Sequence, residues 1–295
     1  MIDIRYHIYS LAAVFLALAV GIVVGTSFAR STPSDSAGRQ TILRYENDMH
    51  VLKDEISKAH DDAASKDAVV KACQDYCKTV MPAVIKNRLL WRNVAIIQTG
   101  DYDDLTGTVK QALELSGAHV ISTTEISRDF PFDDNSKIAE ILVNSGLGTG
   151  SDGKQSRDKL FRVLAASVCS AKYANLVSRL EDAGIATFTG DYGKQCKLVV
   201  LVGGSSGDES NTADTVDAQL ISQMDKLGIT IVGCETSNAG SSYVTTWHKM
   251  AIASVDNAES AMGQTALICA LNGEVASFGT KPTADRLIPK TLESQ

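Results

Sequence analysis

The sequence predicts an α/β protein carried on an N-terminal transmembrane helix and a coiled-coil helix. Three observations point there: an uncharged apolar run opens the chain, a heptad pattern follows it, and beyond Trp91 short β-branched runs alternate with helical stretches. The composition is that of an ordered globular chain, with 44% hydrophobic and 21% charged residues in a length of 295. Lys+Arg 28 against Asp+Glu 35 leaves a net charge of -7 with no basic cluster, which excludes nucleic acid as a partner class.

The first element runs from Ile8 to Phe28 without a charged side chain. A helix of about 20 apolar residues crosses the hydrocarbon core of a bilayer. Its polar groups, Tyr9, Ser10, Thr26 and Ser27, lie at the ends, where headgroups and water reach them. A cleavable signal peptide is the rival reading, with small residues Ser27 and Ala29 near a cleavage position, but its apolar core is usually only about 7–15 residues. A retained anchor is therefore expected. Gly21 and Gly25 form a small-xxx-small pair suited to close helix approach, although glycine is common in membrane helices anyway. Charge leaves the orientation open, because Arg5 alone precedes the span while Arg30, Arg39 and Arg44 follow it.

A polar linker, 31–38, contains Pro33, which stops the membrane helix from running on. Then comes the strongest periodicity in the chain. Ile42, Met49, Ile56, Ala63, Val70 and Cys77 recur every seven residues, and Tyr45, Leu52, Ala59, Cys73 and Val80 lie three further on, with Lys66 out of pattern. Such spacing keeps one apolar seam turned toward a partner helix. With no returning helix nearby, a parallel homodimer is expected, its stalk ending near Pro82.

From Trp91 the alternation of strand and helix predicts a Rossmann-like or flavodoxin-like domain, a mostly parallel sheet with helices on both faces. Strands are expected at 93–98, 118–122, 197–202, 229–233 and 252–255, and helices at 104–116, 157–182, 212–227 and 258–271. A less regular region and a Gly/Ser/Asp-rich loop, 145–153, separate the second strand from the long helix. The predicted organisation is anchor 1–30, linker 31–38, stalk 39–82, α/β domain 91–280 and C-terminal tail 281–295.

No catalytic or cofactor motif emerges. Gly203-Gly-Ser-Ser-Gly207 follows the strongest strand, but Asp208 and Glu209 come before any helix and would repel a phosphate, so a strand-to-helix turn is expected. Asp101, Asp103 and Asp104 suit either a hard cation or the start of a helix, and helix capping is the better reading. His119 and His248 have no partner at motif spacing. Cys169, Cys196, Cys234 and Cys269 read as small packed hydrophobes. Cys73 and Cys77 differ, since successive seam positions would gather four thiols along a dimer axis. Three readings stand for them: small packing residues, interchain disulfides, or a thiolate cage for a soft ion such as Cu(I).

The N-terminal stretch Met1-Ile-Asp-Ile-Arg-Tyr-His7, running into Ser10–Gly25, resembles the start of the mycobacterial copper transport protein family, MctB. Val255-Asp-Asn-Ala258, Gly263–Ile268 and Gly279-Thr-Lys281 resemble its C-terminal region. The resemblance implies an actinobacterial envelope protein tied to copper efflux or homeostasis, with its bulk on the outer side of the membrane. It transfers no catalytic or ligand residue. Physical reasoning narrows the role, because one span without a thiolate, thioether, imidazole or carboxylate is no pore. Two roles are expected: a copper-handling component, with Cys73 and Cys77 as its metal residues, or a non-enzymatic dimeric scaffold recruiting an envelope partner, as in cell separation. An enzyme is not expected.

Overall fold

The computed structural model describes residues 4–30, 34–129, 132–148 and 152–293, and for 4–6, 29–30 and 34–38 the helical backbone alone. The chain divides into two compact units, Met1–Lys71 and Ala72–Gln295.

The first unit is helical. Helix α1, Ile4–Arg30, contains a span of 22 residues, His7–Phe28, long and apolar enough to cross a membrane. At about 1.5 Å per residue that span covers about 33 Å, the hydrocarbon thickness of a bilayer. Its apolar side chains, Leu11, Phe15, Leu18 and Ile22 among them, are exposed, as a lipid-facing helix requires. Helix α2, Ser34–Ile85, is 52 residues long. Residues 34–38 of the expected linker thus belong to a helix, while 31–33 lie outside the described residues. The seam residues Ile42, Tyr45, Met49, Leu52, Ile56 and Val70 are exposed along α2.

Helix α2 ends at Ile85, three residues past Pro82 and close to the expected end of the stalk. A proline costs only its own N–H and the space of the carbonyl four residues back. The turn after it is closed by Lys86 N–H donating to the Pro82 carbonyl at 3.1 Å, and Arg88 Nε caps the Val84 carbonyl at 2.8 Å. Ile85 and Leu89 are fully buried and hold this end of the helix in the core of the second unit.

The second unit is a seven-stranded sheet in the order β3-β2-β1-β4-β5-β6-β7. Its strands are β1 Asn93–Gln98, β2 His119–Ile126, β3 Ala186–Gly190, β4 Leu198–Val202, β5 Thr230–Cys234, β6 Ala253–Val255 and β7 Ser277–Phe278. Every pairing is parallel except that of β2 with β3. The uninterrupted apolar runs of β1 and β4 follow from covering both faces. Val94, Ile96, Leu198, Val200 and Val202 pack with α3 (Asp103–Leu115) and α9 (Ala261–Leu271). Ala95, Ile97, Val199 and Leu201 face the other way, toward α4 (Asn135–Asn144), α5 (Gly153–Cys169), α6 (Val177–Asp182), α7 (Ala218–Asp225) and α8 (Val244–Lys249). Each such side chain contributes about 1.5–3 kcal/mol on leaving water.

Three elements depart from expectation. The long helix expected over 157–182 is broken: α5 stops at Cys169, Ser170 is extended, and the following segment, a 3-10 turn (Ala171–Leu176) leading into α6, is bent 119° from α5. The Cys169 carbonyl accepts the amide of Cys196 at 3.2 Å, so it is engaged across the fold instead of along the helix. Strand β3, unforeseen, is an edge strand with mixed exposure, which blurs its pattern. Helix α9 begins at Ala261, not Ala258, because the Ser260 hydroxyl caps it by accepting the Gly263 amide at 3.0 Å. A short α10, Lys290–Glu293, closes the described chain.

Candidate functional site

Open parallel sheets bind ligands beyond the carboxyl ends of their strands, where the strand order reverses. Here that point lies between β1 and β4, and the chain's own loops fill it. A Cβ on Gly100 would collide with the backbone of Gly203 and Gly204, so the two strand ends meet as closely as glycine allows. The Asp101 carboxylate accepts the Ser206 amide at 2.9 Å and hydroxyls from Ser206 at 2.7 Å and Ser210 at 3.2 Å. Burial raises the pKa of this carboxyl, but those bonds and the Arg128 charge outweigh it and leave it below the ordinary aspartate range. Asp101 therefore ties the glycine loop down. Capping of α3 by an aspartate is not observed: the N-cap is Tyr102, with no side-chain cap bond, and Asp103 and Asp104 sit in the first turn, where a carboxylate suits the helix dipole.

Beside this closed crevice lies a surface cleft of about 450 Å³ lined by Asp101, Asp103, Asp104, Glu259, Thr236 and Asn238. Three of its four carboxylates, those of Asp101, Asp103 and Glu259, are engaged locally. Asp103 accepts Gln98 Nε2 at 2.8 Å and Arg128 at 2.6 Å, and Glu259 accepts the Ser237 amide at 3.1 Å. Among the described residues no three His, Cys, Asp or Glu side chains converge as a metal cluster would.

Below it is a buried ion pair that sequence reasoning missed. Glu235, at the end of β5, is 0% exposed. It accepts Lys281 Nζ at 2.5 Å, the Ser242 hydroxyl at 2.5 Å and the Tyr243 amide at 2.8 Å. Asp256 accepts the amides of Thr280 and Lys281, both at 2.8 Å, which fixes the backbone that carries the lysine. Gly279 has φ +145°, and a Cβ there would overlap the Asp256 carboxylate. The separated stretches 255–258 and 279–281 thus form one assembly. The signal for Glu235 in the sequence is a carboxylate directly after an apolar strand. Near this pair Trp247, which packs against Tyr243, donates its Nε1–H to Asp217 at 2.7 Å. Burial pushes the Asp217 carboxyl up to about 7, despite the hydrogen bond from Trp247 that favours its charged form.

The sulfur donors lie elsewhere. Cys73 is exposed on α2, and Cys77 is half-buried. Cys77, Met81 and Met262 line one apolar groove of about 180 Å³, built from the last turns of α2, the first turns of α9 and the 287–292 segment. One thiol and two thioethers therefore border one hollow. His119 is spent on an aromatic contact with Trp91, ring centres 5.4 Å apart, and does not approach this groove in any described interaction.

The family model described as "Copper transport outer membrane protein, MctB" matches residues 1–289. A protein named copper transporter MctB from Mycobacterium bovis is 28% identical over 237 residues, 73% of this chain and 73% of its own. The namesake from Mycobacterium tuberculosis matches with the same values. That from Mycobacterium leprae is 27% identical over 206 residues, 64% of this chain and 62% of the relative. A match running from the apolar helix through the sheet to the Gly279–Lys281 segment covers the whole architecture, and the chain belongs to the MctB family.

Proposed function

We propose that this protein is a membrane-anchored copper-handling component of the cell envelope, with α1 as its retained anchor and the sheet domain outside the cytoplasm. Family membership supports the link to copper. The observation that carries it to residues is the groove in which Cys77, Met81 and Met262 meet. Thiolate and thioether are the soft donors that Cu(I) prefers, and apolar walls limit competing water. Cys73, one turn back and exposed, serves as the entry ligand. A single span conducts no ion alone, so the role is capture or delivery beside a separate conduit. The head acts without covalent chemistry. Its strand order supports a Rossmann-like sheet whose nucleotide crevice is closed by Asp101 and the glycine loop.

A deletion strain should accumulate copper, corrected by the intact gene but not by a Cys73→Ser/Cys77→Ser gene. The purified full chain in detergent, under reducing conditions, should bind Cu(I) with an affinity that falls at least about tenfold in Cys77→Ser, a loss of about 1.4 kcal/mol. Equal affinity in the variant, or no Cu(I) binding, overturns this assignment.

The exposed seam of α2 favours a second role within the same frame: a parallel homodimer whose stalk presents the heads to an envelope partner. Membrane pulldown recovering the same partner from the intact chain, but not from a seam-broken chain, is its test.

A further inference from the structure

We propose that Cys169 and Cys196 are joined by a structural disulfide in the mature protein, stapling the end of α5 to the segment that enters β4. Neither residue was distinguished from the other packed cysteines by sequence, but the fold brings them together. Both are buried, at 2% and 1% exposure, in the same core cluster. The Cys196 amide donates to the Cys169 carbonyl at 3.2 Å, and the Cys196 thiol donates to the carbonyl of Val168, the residue before Cys169, at 3.8 Å. Residues whose backbones pair this closely fall in the Cα separation of about 4.4–6.8 Å that a disulfide spans. Cys234 differs, standing in the core cluster on the other sheet face.

The local structure is built around this contact. Helix α5 stops at Cys169 and the chain turns extended at Ser170, which leaves the Cys169 carbonyl free to take the Cys196 amide. The neighbouring Cys169 thiol, with the Lys197 charge adding to the effect, holds the Cys196 thiol below its ordinary range in spite of burial.

Oxidation needs an electron acceptor, here a thiol–disulfide oxidoreductase in its disulfide form. One of the two cysteine thiolates attacks one sulfur of that disulfide, forming a mixed disulfide and releasing the acceptor's other sulfur as a thiol. The other cysteine thiolate then attacks the first cysteine's sulfur, closing the protein disulfide and releasing the acceptor's second thiol. Two electrons and two protons pass from the cysteines to the acceptor, whose own sulfur–sulfur bond is broken. Because both sulfurs are sealed in the finished core, the exchange takes place during folding, which requires the head to mature in an oxidising compartment. The proposal is independent of copper binding.

The test uses the full chain taken from its native envelope, with thiols alkylated under denaturing conditions without reductant, then digested for mass spectrometry. The expected result is one peptide pair joining Cys169 to Cys196, about 2 Da lighter than the sum of its free thiol forms. Reductant should also lower the denaturation midpoint of the wild type while leaving a Cys169→Ala/Cys196→Ala variant unmoved. Alkylated Cys169 and Cys196 in the native protein, pairing of either with another cysteine, or equal effects of reductant on both proteins would overturn the proposal.

Discussion

Ile56 on α2 and Ile96 on β1 are the same side chain in opposite surroundings, the first 69% exposed and the second 0%. Both belong to regular apolar patterns, of period seven in one and an unbroken run in the other. In the sheet domain each pattern finds its complement within the same chain, because helices cover both faces. Among its described residues the first unit offers no such complement. The apolar surface of α1 is suited to lipid, and the seam of α2 to another helix. One region thus derives stability from its own fold, while the other is written for its surroundings. Substitutions should separate the two.

The largest effect is expected inside the sheet domain. Trp247 is fully buried, packs edge-on against Tyr243 at 6.0 Å between ring centres and donates to Asp217. Trp247→Ala should cost about 3–5 kcal/mol, read as a shifted denaturant midpoint. Lys281→Ala should cost about 3 kcal/mol or more, because it leaves the Glu235 carboxylate buried without its ammonium. A double replacement, Glu235→Met with Lys281→Met, should recover much of that loss. A double variant worse than the single would show that the pair is a net source of stability.

Asp217 gives a pH signature. Its folded pKa, about 7, lies above the ordinary 3.8, so the folded state keeps a proton that the unfolded chain has released. The contribution of Asp217 to stability is therefore greatest at low pH, falls by roughly 1.4 kcal/mol per pH unit across the window between those two values, and levels off above it. Asp217→Asn keeps an acceptor for Trp247 and should flatten that decline. Parallel pH profiles for the two proteins would place the titration elsewhere. The smallest effect on the sheet domain belongs to the stalk: Ile56→Lys should move its denaturation midpoint by less than about 0.5 kcal/mol while halving the mass of the proposed dimer in detergent.

The sequence showed most where one physical constraint dominates. The uncharged run of α1 and the β-branched strands β1 and β4 are set by lipid or by two covered faces, and their limits read directly. Strand β3 was hidden because Thr187, Phe188 and Thr189 serve an edge, half wet and half packed. The break after Cys169 was hidden because Ser170 carries no strong turn signal, and its cause is a bond to a residue far along the chain. The same distance concealed the Glu235–Lys281 pair, although stretches 255–258 and 279–281 had been singled out by resemblance. Cys77 was singled out as a seam position, whereas Met81 and Met262 meet it only when α2 docks beside α9.

The most direct test of the contrast is cross-linking along α2 in the native membrane, with Cys73 and Cys77 replaced by serine. A cysteine introduced at Ile56, on the seam, should join two chains on mild oxidation, whereas one introduced at Ser57, off the seam, should not. Equal cross-linking at both positions, or none at Ile56, would contradict the account.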